Sequence, residues 1–311
     1  MKIIHISDLH LNSYYKNSRL EEINFILGFI SREKFDHLII TGDLTDNADY
    51  KDFEILRNLF KKYDLLRGDR LSLMIGNHDI YGGITTPDDI FTFHQKCEKI
   101  NYHLRLNEFY LHFFETFENC SYRNDYFPYV KIFEDILILA VNSVMEYSKI
   151  KNPFASNGKI SLNQYLEISD ILEENSFLKR KVIFTHHHFN KIDSAETVGL
   201  QNVWRNIEKQ TLKLKNKTGL FNLFKEHNID LVLHGHYHKS CEYTRKGIRF
   251  LNAGATIIDN ISNQVNLNYI NIDRDSLTIE IKKIDMNNPE TIRKSSGRVL
   301  TDFQNSGLIL Q

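Results

Sequence analysis

The sequence has few cysteines and no long apolar run. Its three cysteines, Cys97, Cys120 and Cys241, form no Cys-x-x-Cys pair. This pattern argues against a disulfide framework or a thiolate metal site, and it favours a reducing cytoplasm. No stretch approaches the roughly 18 apolar residues of a membrane span, and the N-terminus lacks the roughly 7 to 15 apolar residues of a signal peptide. We therefore predict a soluble, cytoplasmic protein.

A surplus of charge of either sign is also missing. The 39 basic and 40 acidic residues give a formal net charge of −1, so nothing attracts the chain globally to nucleic acid or an anionic membrane. Hydrophobic residues, by contrast, make up 41% of the 311 residues. That content is enough for one large domain, or for one domain with appendages.

Short β-rich runs alternate with helical patterns along the first 234 residues. Apolar residues recur at helical spacing in Leu20–Ser31 and Lys51–Tyr63, which predicts amphipathic helices between strands. The alternation is typical of an α/β sheet. The predicted strands are Lys2–Ile6, His37–Ile40, Leu71–Ile75, Ile136–Val141, Lys181–Phe184 and Asp230–Leu233.

The pattern changes from Tyr243 onward, where strands follow one another with polar turns between them. We predict that these strands form a second, antiparallel sheet layer. They are Gly247–Leu251, Gln264–Ile272 and Ser276–Ile284.

Five of the first strands end in polar clusters suited to binding metal. The clusters are Ser7–His10, Thr41–Asp46, Gly76–Asp79, Thr185–His188 and His234–His238. In an open α/β sheet, ligands bind beyond the carboxyl ends of the strands, so all five clusters should converge on one site. Gly42, Gly76 and Gly235 each precede a candidate ligand, as expected where the backbone turns sharply.

The residue types in these clusters favour two metal ions. A carboxylate such as Asp43 can bridge two cations. Metals about 3.5 to 4 Å apart can activate a bridging water and stabilise the charge of an in-line phosphoryl displacement. Mixed His, Asp and Asn ligands favour Mn, Fe, Zn, Co or Ni over calcium, and the lack of thiolates disfavours structural zinc. We predict two divalent transition-metal ions, such as Mn, Fe or Zn.

These motifs closely resemble those of the calcineurin-like metallophosphoesterase superfamily. Five motifs in the same order, spread over roughly residues 1 to 255, are far more specific than any one alone. The resemblance implies that His78 contacts phosphate and protonates the leaving group, with Asp46 as its orienting carboxylate. It also implies that one metal is held by Asp8, His10, Asp43 and His238, and the other by Asp43, Asn77, His186 and His236.

Departures from particular branches of the superfamily narrow the expected substrate. Asn47 stands where protein Ser/Thr phosphatases have arginine, and Asp46 stands where purple acid phosphatases have tyrosine. His78 stands where the commonest lipid A diphosphatases have arginine. What remains is similar to bacterial cyclic-nucleotide-type phosphodiesterases, including the late segment Asn252–Gly254.

The histidine triplet leaves a choice of ligand. His186 is preferred because it directly follows the predicted strand, and His187 is then expected to contact the substrate phosphate or to orient a ligand. His188 stands where relatives often have proline. His234 is expected to be a strand-end residue, and His5 to be a residue of the core or one that supports a ligand.

We predict a four-layer α/β/β/α sandwich of two mixed β-sheets flanked by helices. Residues 1–286 form the catalytic domain, and residues 287–311 form a C-terminal extension of weak periodicity. Two less regular segments, 81–129 and 190–217, begin right after site motifs and are candidates for covering the site.

Hydrolysis of a cyclic nucleotide or another small phosphodiester is the expected reaction. A lipid-linked diphosphate or a nucleic acid is the alternative substrate, and a scaffold with an inactive metal site is the non-enzyme alternative. The scaffold is disfavoured because no ligand position is lost. A nuclease needs a basic groove that the near-neutral composition does not favour. A lipid substrate needs an exposed apolar lid, and only Trp204 and its neighbours support the presence of one. The sequence leaves the oligomeric state open.

Overall fold

The computed structural model describes residues 1–14, 17–84, 87–190, 214–257, 264–295 and 300–301. Their backbone forms two seven-stranded β-sheets and a two-stranded sheet of Gly158–Lys159 and Leu214–Lys215. These short strands are β7 and β9, because strands are numbered in chain order. No helix within the described ranges is long and apolar enough to cross a membrane. All three cysteines are free.

The first sheet joins strands from both ends of the chain. Its strands are β1 (Lys2–Ile6), β2 (His37–Ile40), β3 (Leu71–Leu73), β13 (Gln264–Ile272), β14 (Ser276–Asp285), β15 (Asn288–Ser295) and β16 (Leu300–Thr301). The order is β15-β14-β13-β1-β2-β3, with β16 also paired to β14. Strands β1, β2 and β3 are parallel, whereas β13 is antiparallel to β1 and continues as a meander.

The second sheet is built from the middle of the chain. Its strands are β4 (Ser121–Tyr122), β5 (Tyr129–Phe133), β6 (Ile136–Ala140), β8 (Arg180–Phe184), β10 (Leu231–His234), β11 (Cys241–Arg245) and β12 (Ile248–Asn252). The order is β11-β12-β10-β8-β6-β5-β4. The central strands β6, β8, β10 and β12 are parallel, and antiparallel strands complete both edges.

Most helices connect successive strands. Those in the described residues are α1 (Asn17–Arg32), α2 (Tyr50–Lys62), α3 (His78–Tyr81), α4 (Pro87–Lys99), α5 (Tyr102–His112), α6 (Leu162–Glu174) and α7 (Lys217–Glu226). Side-chain caps fix the start of three of them: Asp49 accepts a hydrogen bond from the Lys51 amide, Asn101 from the Leu104 amide and Ser161 from the Gln164 amide. Such caps satisfy amides that have no partner in the first helical turn.

Two hydrophobic clusters define the layers. In strand β6, Ile138 and Ala140 belong to the larger cluster, which fills the space between the sheets and includes residues of α1 and α2. The alternate residues Leu137 and Leu139 belong to a second cluster with α6 and α7. Because successive side chains point to opposite faces, the second sheet is covered by a sheet on one face and by helices on the other. This is the predicted four-layer sandwich.

The predicted antiparallel layer near the C-terminus is wrong in its arrangement. Strand β12 instead joins the second sheet parallel to β10, and β13 and β14 extend the first sheet beside β1. The physical reason is that β1 would otherwise be an edge strand with unpaired amides and carbonyls. Strand β15, within the predicted C-terminal extension, pairs with β14. This pairing joins the two predicted units in one sheet, and the boundary after residue 286 stays a prediction.

The segment 81–129 is more regular than its sequence indicates. It contains α4 and α5 together with the start of the second sheet. Its buried aromatic residues, such as Phe109 and Phe113, lie in the larger hydrophobic cluster, so they stabilise the core. The other predicted covering segment, 190–217, lies mostly outside the described residues, as does Trp204.

Candidate metal centre

The five polar clusters meet where the carboxyl ends of strands from both sheets come together. Three follow β1, β2 and β3 of the first sheet, and two follow β8 and β10 of the second. Backbone hydrogen bonds of 3.0 Å connect neighbouring loops, from the Asp8 amide to the Gly42 carbonyl and from the Gly235 amide to the His186 carbonyl. The site therefore lies between two sheets, whereas the general rule for open α/β sheets places a site at the strand ends of a single sheet.

Four of the candidate ligands have left-handed backbone conformations. The φ angles are 54° for Asp8, 46° for His10, 50° for Asp43 and 66° for His236. Such angles are uncommon for residues other than glycine. Each costs about 1 to 3 kcal/mol and persists only where the surrounding structure enforces it, most often at functional sites.

The glycines of the motifs allow close approach between loops. A Cβ atom on Gly76 would clash with the Asp43 backbone and carboxylate, and one on Gly235 would clash with Ser7 and lie 2.5 Å from an Asp8 carboxylate oxygen. Of the three glycines, Gly42 has a positive φ, of 96°. The sharp turn expected from the sequence thus applies to Gly42, while the other two are required by lack of space.

Asp43, His186 and His236 form a buried group, here called the inner cluster. His186 Nε2 lies 3.3 Å from Asp43 Oδ2 and 3.1 Å from the Asn77 side-chain oxygen. The other ring nitrogen of His186 is 2.8 Å from the Thr41 carbonyl. Since a carbonyl only accepts, Nδ1 carries a proton, and Nε2 is the ring nitrogen that faces Asp43 and Asn77 and could bind a metal ion in exchange for its own proton.

Asp8, His10 and His238 form a more open group, here called the outer cluster. His10 Nε2 and His238 Nε2 lie 3.1 Å apart. Asp8 Oδ1 is 3.9 Å from the first of these nitrogens and 3.5 Å from the second. The side chain of His238 is 55% exposed, whereas Asp8 is fully buried. Three donor atoms thus converge beside an open surface.

A hydrogen-bonded group lies next to the outer cluster. His78 Nδ1 is 3.1 Å from the Asp46 carbonyl and 3.3 Å from Asp46 Oδ1. The same carboxylate oxygen lies 3.6 Å from His10 Nδ1, and Asn12 donates to the other oxygen at 3.1 Å. Asp46 therefore faces a candidate ligand and the predicted proton donor at once. Asn12 was missed from the sequence because no motif marks it.

Asp79 connects two of the ligand loops. One carboxylate oxygen accepts from the Thr45 amide at 2.8 Å, and the other accepts from the Gly76 amide at 2.8 Å and the Leu44 amide at 3.2 Å. These contacts link the loop after β2 to the loop after β3.

The remaining histidines of the motifs belong to neither the inner nor the outer cluster of the described residues. His187 is fully buried, its Nδ1 is 2.8 Å from Ser143 Oγ, and its ring centroid is 4.5 Å from that of His236. Burial and the neighbouring His186 hold the pKa of His187 well below its usual value. His188 and His234 pack against each other at 4.9 Å. His5 is buried in β1, as expected from the sequence.

The buried carboxylates are held in their ionised form by the histidines. Burial raises the pKa of Asp43, but His186, His78 and His10 outweigh it and hold that pKa well below its usual value. Conversely, burial lowers the pKa of His186, but Asp43 and Asp8 outweigh it and raise it to about 9. Asp43 therefore stays ionised, as a carboxylate that binds a metal cation must be.

The donor set fits divalent transition-metal ions. Within each cluster the ligand atoms lie within 4.8 Å of one another, close to the spacing expected around one ion with bonds of about 2.0 to 2.2 Å. Imidazole and carboxylate donors suit Mn, Fe and Zn. Asp43 Oδ2, at 3.3 Å from His186 Nε2 and 3.8 Å from His10 Nε2, faces both clusters.

Comparison with curated proteins finds two relatives at 24% identity, each named a probable cyclic nucleotide phosphodiesterase. The relative from Vesicomyosocius okutanii subsp. Calyptogena okutanii (strain HA) aligns over 288 residues, which are 91% of this chain and 98% of the relative. The relative from Ruthia magnifica subsp. Calyptogena magnifica aligns over 287 residues, 90% and 97% respectively. The chain therefore spans nearly the whole length of both.

Two solved structures are similar in fold. A dimetal phosphatase from Danio rerio has a TM-score of 0.59 at 11% identity, over 90% of this chain and 95% of that one. A purple acid phosphatase from yellow lupin (Lupinus luteus) seeds has a TM-score of 0.57 at 12% identity. The match covers 97% of this chain but 53% of the lupin protein, so this chain spans about half its length.

The decisive comparison is with family models. The model of the calcineurin-like phosphoesterases matches residues 1–240, which include all five ligand loops. The chain therefore belongs to the calcineurin-like phosphoesterase family and is a metal-dependent phosphoric ester hydrolase.

Proposed function

We propose that the chain hydrolyses a small phosphodiester, such as a cyclic nucleotide, at a centre of two divalent metal ions. The observation that carries this proposal is that Asp43 faces two donor clusters at once, with His78 beside them. The printed names of the two curated relatives support a diester substrate.

In this proposal each cluster holds one ion and Asp43 contributes to both. The inner cluster is completed by Asn77, whose side-chain oxygen lies 3.1 Å from His186 Nε2. His236 is fixed by its amide, which donates to Asp8 Oδ2 at 3.0 Å, and its Nε2 lies 3.1 Å from the Ser156 carbonyl. When bound, the two ions supply a water nucleophile at neutral pH and neutralise phosphoryl charge.

His78 is proposed to protonate the leaving group. Its amide donates to Asp43 Oδ1 at 2.9 Å, which fixes its position beside the shared carboxylate. Its Nδ1 faces Asp46, so Nε2 is the ring nitrogen left to give a proton to the departing alkoxide. General acid catalysis of this kind contributes about a hundredfold to ten-thousandfold.

The exposure of the two clusters indicates how a substrate reaches the site. The side chains of His238 and His78 are 55% and 25% exposed, whereas His186 and Asp43 are buried. A substrate would therefore approach from the outer cluster, with the leaving group on the His78 side. His187, being fully buried behind His236, is proposed to orient that ligand.

A substrate panel tests this proposal. Metal-free protein would be reconstituted with Mn²⁺ and assayed with 3′,5′-cyclic AMP, bis(p-nitrophenyl) phosphate, p-nitrophenyl phosphate, a DNA oligonucleotide and a lipid-linked diphosphate. We expect kcat/KM for a small diester to exceed that for the monoester by at least about tenfold, or about 1.4 kcal/mol, and chelation to abolish both activities.

The same panel can contradict the proposal. A preference for the monoester, the lipid diphosphate or the oligonucleotide would overturn the diester assignment while leaving the metal centre intact. Full activity after exhaustive chelation would overturn the metal centre itself.

A further inference from the structure

A short segment that begins at the last residue of β12 contacts both loops that carry the outer cluster. This segment, residues 252–256, is here called the brace. It lies outside residues 1–240, which the family model matches. Its residues Asn252 and Thr256 are fully buried, although neither belongs to a cluster of candidate ligands.

Asn252 holds the loop that carries His238. Its side-chain Nδ2 donates to the Tyr237 carbonyl at 2.6 Å and to the Lys239 carbonyl at 3.1 Å. These carbonyls lie on either side of His238 in the chain. The Asn252 side-chain oxygen accepts from the Gly254 amide at 3.2 Å, which fixes the orientation of the amide group.

Thr256 holds the loop that carries Asp8. Its hydroxyl donates to the Ser7 carbonyl at 2.6 Å and accepts from the Ser7 amide at 2.9 Å. Its own amide donates to the same carbonyl at 2.9 Å. Both backbone groups of the residue before Asp8 are therefore paired with a residue that follows 249 positions later.

Gly254 adds close packing between these two contacts. Its φ is 71°, and a Cβ atom at this position would lie 2.5 Å from the Ser240 amide nitrogen. The backbone of the brace therefore approaches the His238 loop more closely than any residue with a side chain would allow.

We propose that Asn252 and Thr256 are positioning residues for the outer metal ion, which rests on the proposed assignment of the outer cluster as a metal site. His238 is half exposed, so little packing fixes it and hydrogen bonds to its loop must do so. Loss of a group that orients a ligand typically costs about 10- to 100-fold in metal affinity. The brace also holds the start of the loop that carries His236, through a 2.9 Å hydrogen bond from the Ala253 amide to the His234 carbonyl, but this backbone contact is kept when the Asn252 and Thr256 side chains are changed.

Two variants with a matched control test this inference. Thr256→Val keeps the shape but removes the hydroxyl, whereas Thr256→Ser keeps the hydroxyl. Asn252→Asp is equal in size but turns a carboxylate oxygen toward two carbonyls, an unfavourable buried contact. Mn²⁺ binding to the metal-free full chain would be measured by equilibrium dialysis and calorimetry, and the melting temperature would be recorded for each variant.

We expect the wild type and Thr256→Ser to bind two ions alike. In Thr256→Val and Asn252→Asp, one ion should bind about 10- to 100-fold more weakly while the other is unchanged. Ile279→Ala, a buried position on β14, serves as a control for lost stability. It should lower the melting temperature and leave both affinities as in the wild type.

Three outcomes would overturn the inference. They are wild-type binding of both ions by Thr256→Val and Asn252→Asp, equal weakening of both ions, and the same weakening in Ile279→Ala. A wild-type protein that binds fewer than two ions would instead contradict the proposed dinuclear centre, on which the inference depends.

Discussion

The inner and outer clusters use the same donor types in opposite surroundings. His186 and His236 of the inner cluster are buried and are oriented by the backbone carbonyls of Thr41 and Ser156. His238 of the outer cluster is half exposed, and its loop is held by a distant side chain. One ion would therefore be enclosed by protein, while the other would be open to solvent and substrate.

The largest effect is expected from the residue that the two clusters share. Asp43→Asn removes the charge that faces both His186 and His10. Catalysis should therefore fall by more than the roughly 10- to 100-fold lost when a group that only orients a ligand is changed. Elemental analysis should find fewer than two ions per chain.

Asp52→Asn is the control for this prediction, because Asp52 is a buried carboxylate that accepts from the Ser13 amide at 3.1 Å outside both clusters. It should keep two ions and the activity. Normal turnover of a chromogenic diester by Asp43→Asn with two ions bound would show that the clusters do not depend on a shared ligand.

A second prediction concerns the outer side, where the leaving group would depart. His78→Ala should keep both ions and lose about a hundredfold to ten-thousandfold on a nucleoside diester, whose leaving alkoxide needs a proton. A nitrophenyl diester should lose less, because nitrophenolate departs without one. Steady-state kinetics on both substrates would measure the difference.

Equal losses on the two substrates would mean that His78 only binds phosphate. Loss of metal from His78→Ala would instead make it a structural residue of the Asn77 loop. His103→Ala is a suitable control, since His103 is an exposed histidine that contacts Glu146 at 3.7 Å and the Tyr102 ring, away from both clusters.

The smallest effect is expected on how readily each of the two metal ions is released and bound again. Dialysis against a chelator should remove the outer ion before the inner one, because the outer cluster is more exposed. His238→Ala should require about 10- to 100-fold more Mn²⁺ for activation, the loss in affinity that is typical when a group around a metal site is changed. In His186→Ala the inner ion should instead bind more weakly, because His186 Nε2 lies in the inner cluster, 3.3 Å from Asp43 Oδ2. Simultaneous release of both ions would remove the distinction between the clusters.

The loops that carry the candidate ligands show which features of the fold and site could be predicted from the sequence. Asp8 and His10 follow a buried strand, and the glycine motifs follow others, so strand patterns and residue chemistry predicted where candidate ligands come together. The family prediction is confirmed by the match to residues 1–240. The ligand roles, the metals and the cytoplasmic location stay predictions.

Other features could not be predicted because they depend on distant parts of the chain. Thr256 pairs with Ser7 across 249 positions, and no local pattern marks either residue. The placement of β13 beside β1 likewise depends on which edge needs a partner. Periodicity assigns a strand its faces but not its neighbours.

Local sequence patterns are enough to predict the alternating strands, the donor residues at their ends and the chemistry that those donors allow. These follow from side-chain type and local periodicity, which are properties of short segments. Two further features depend on the folded chain: two sheets supply one site, and His186 is enclosed while His238 is exposed. Burial and hydrogen-bond partners are set by long-range packing, because the atoms that cover a residue come from segments far away in the chain.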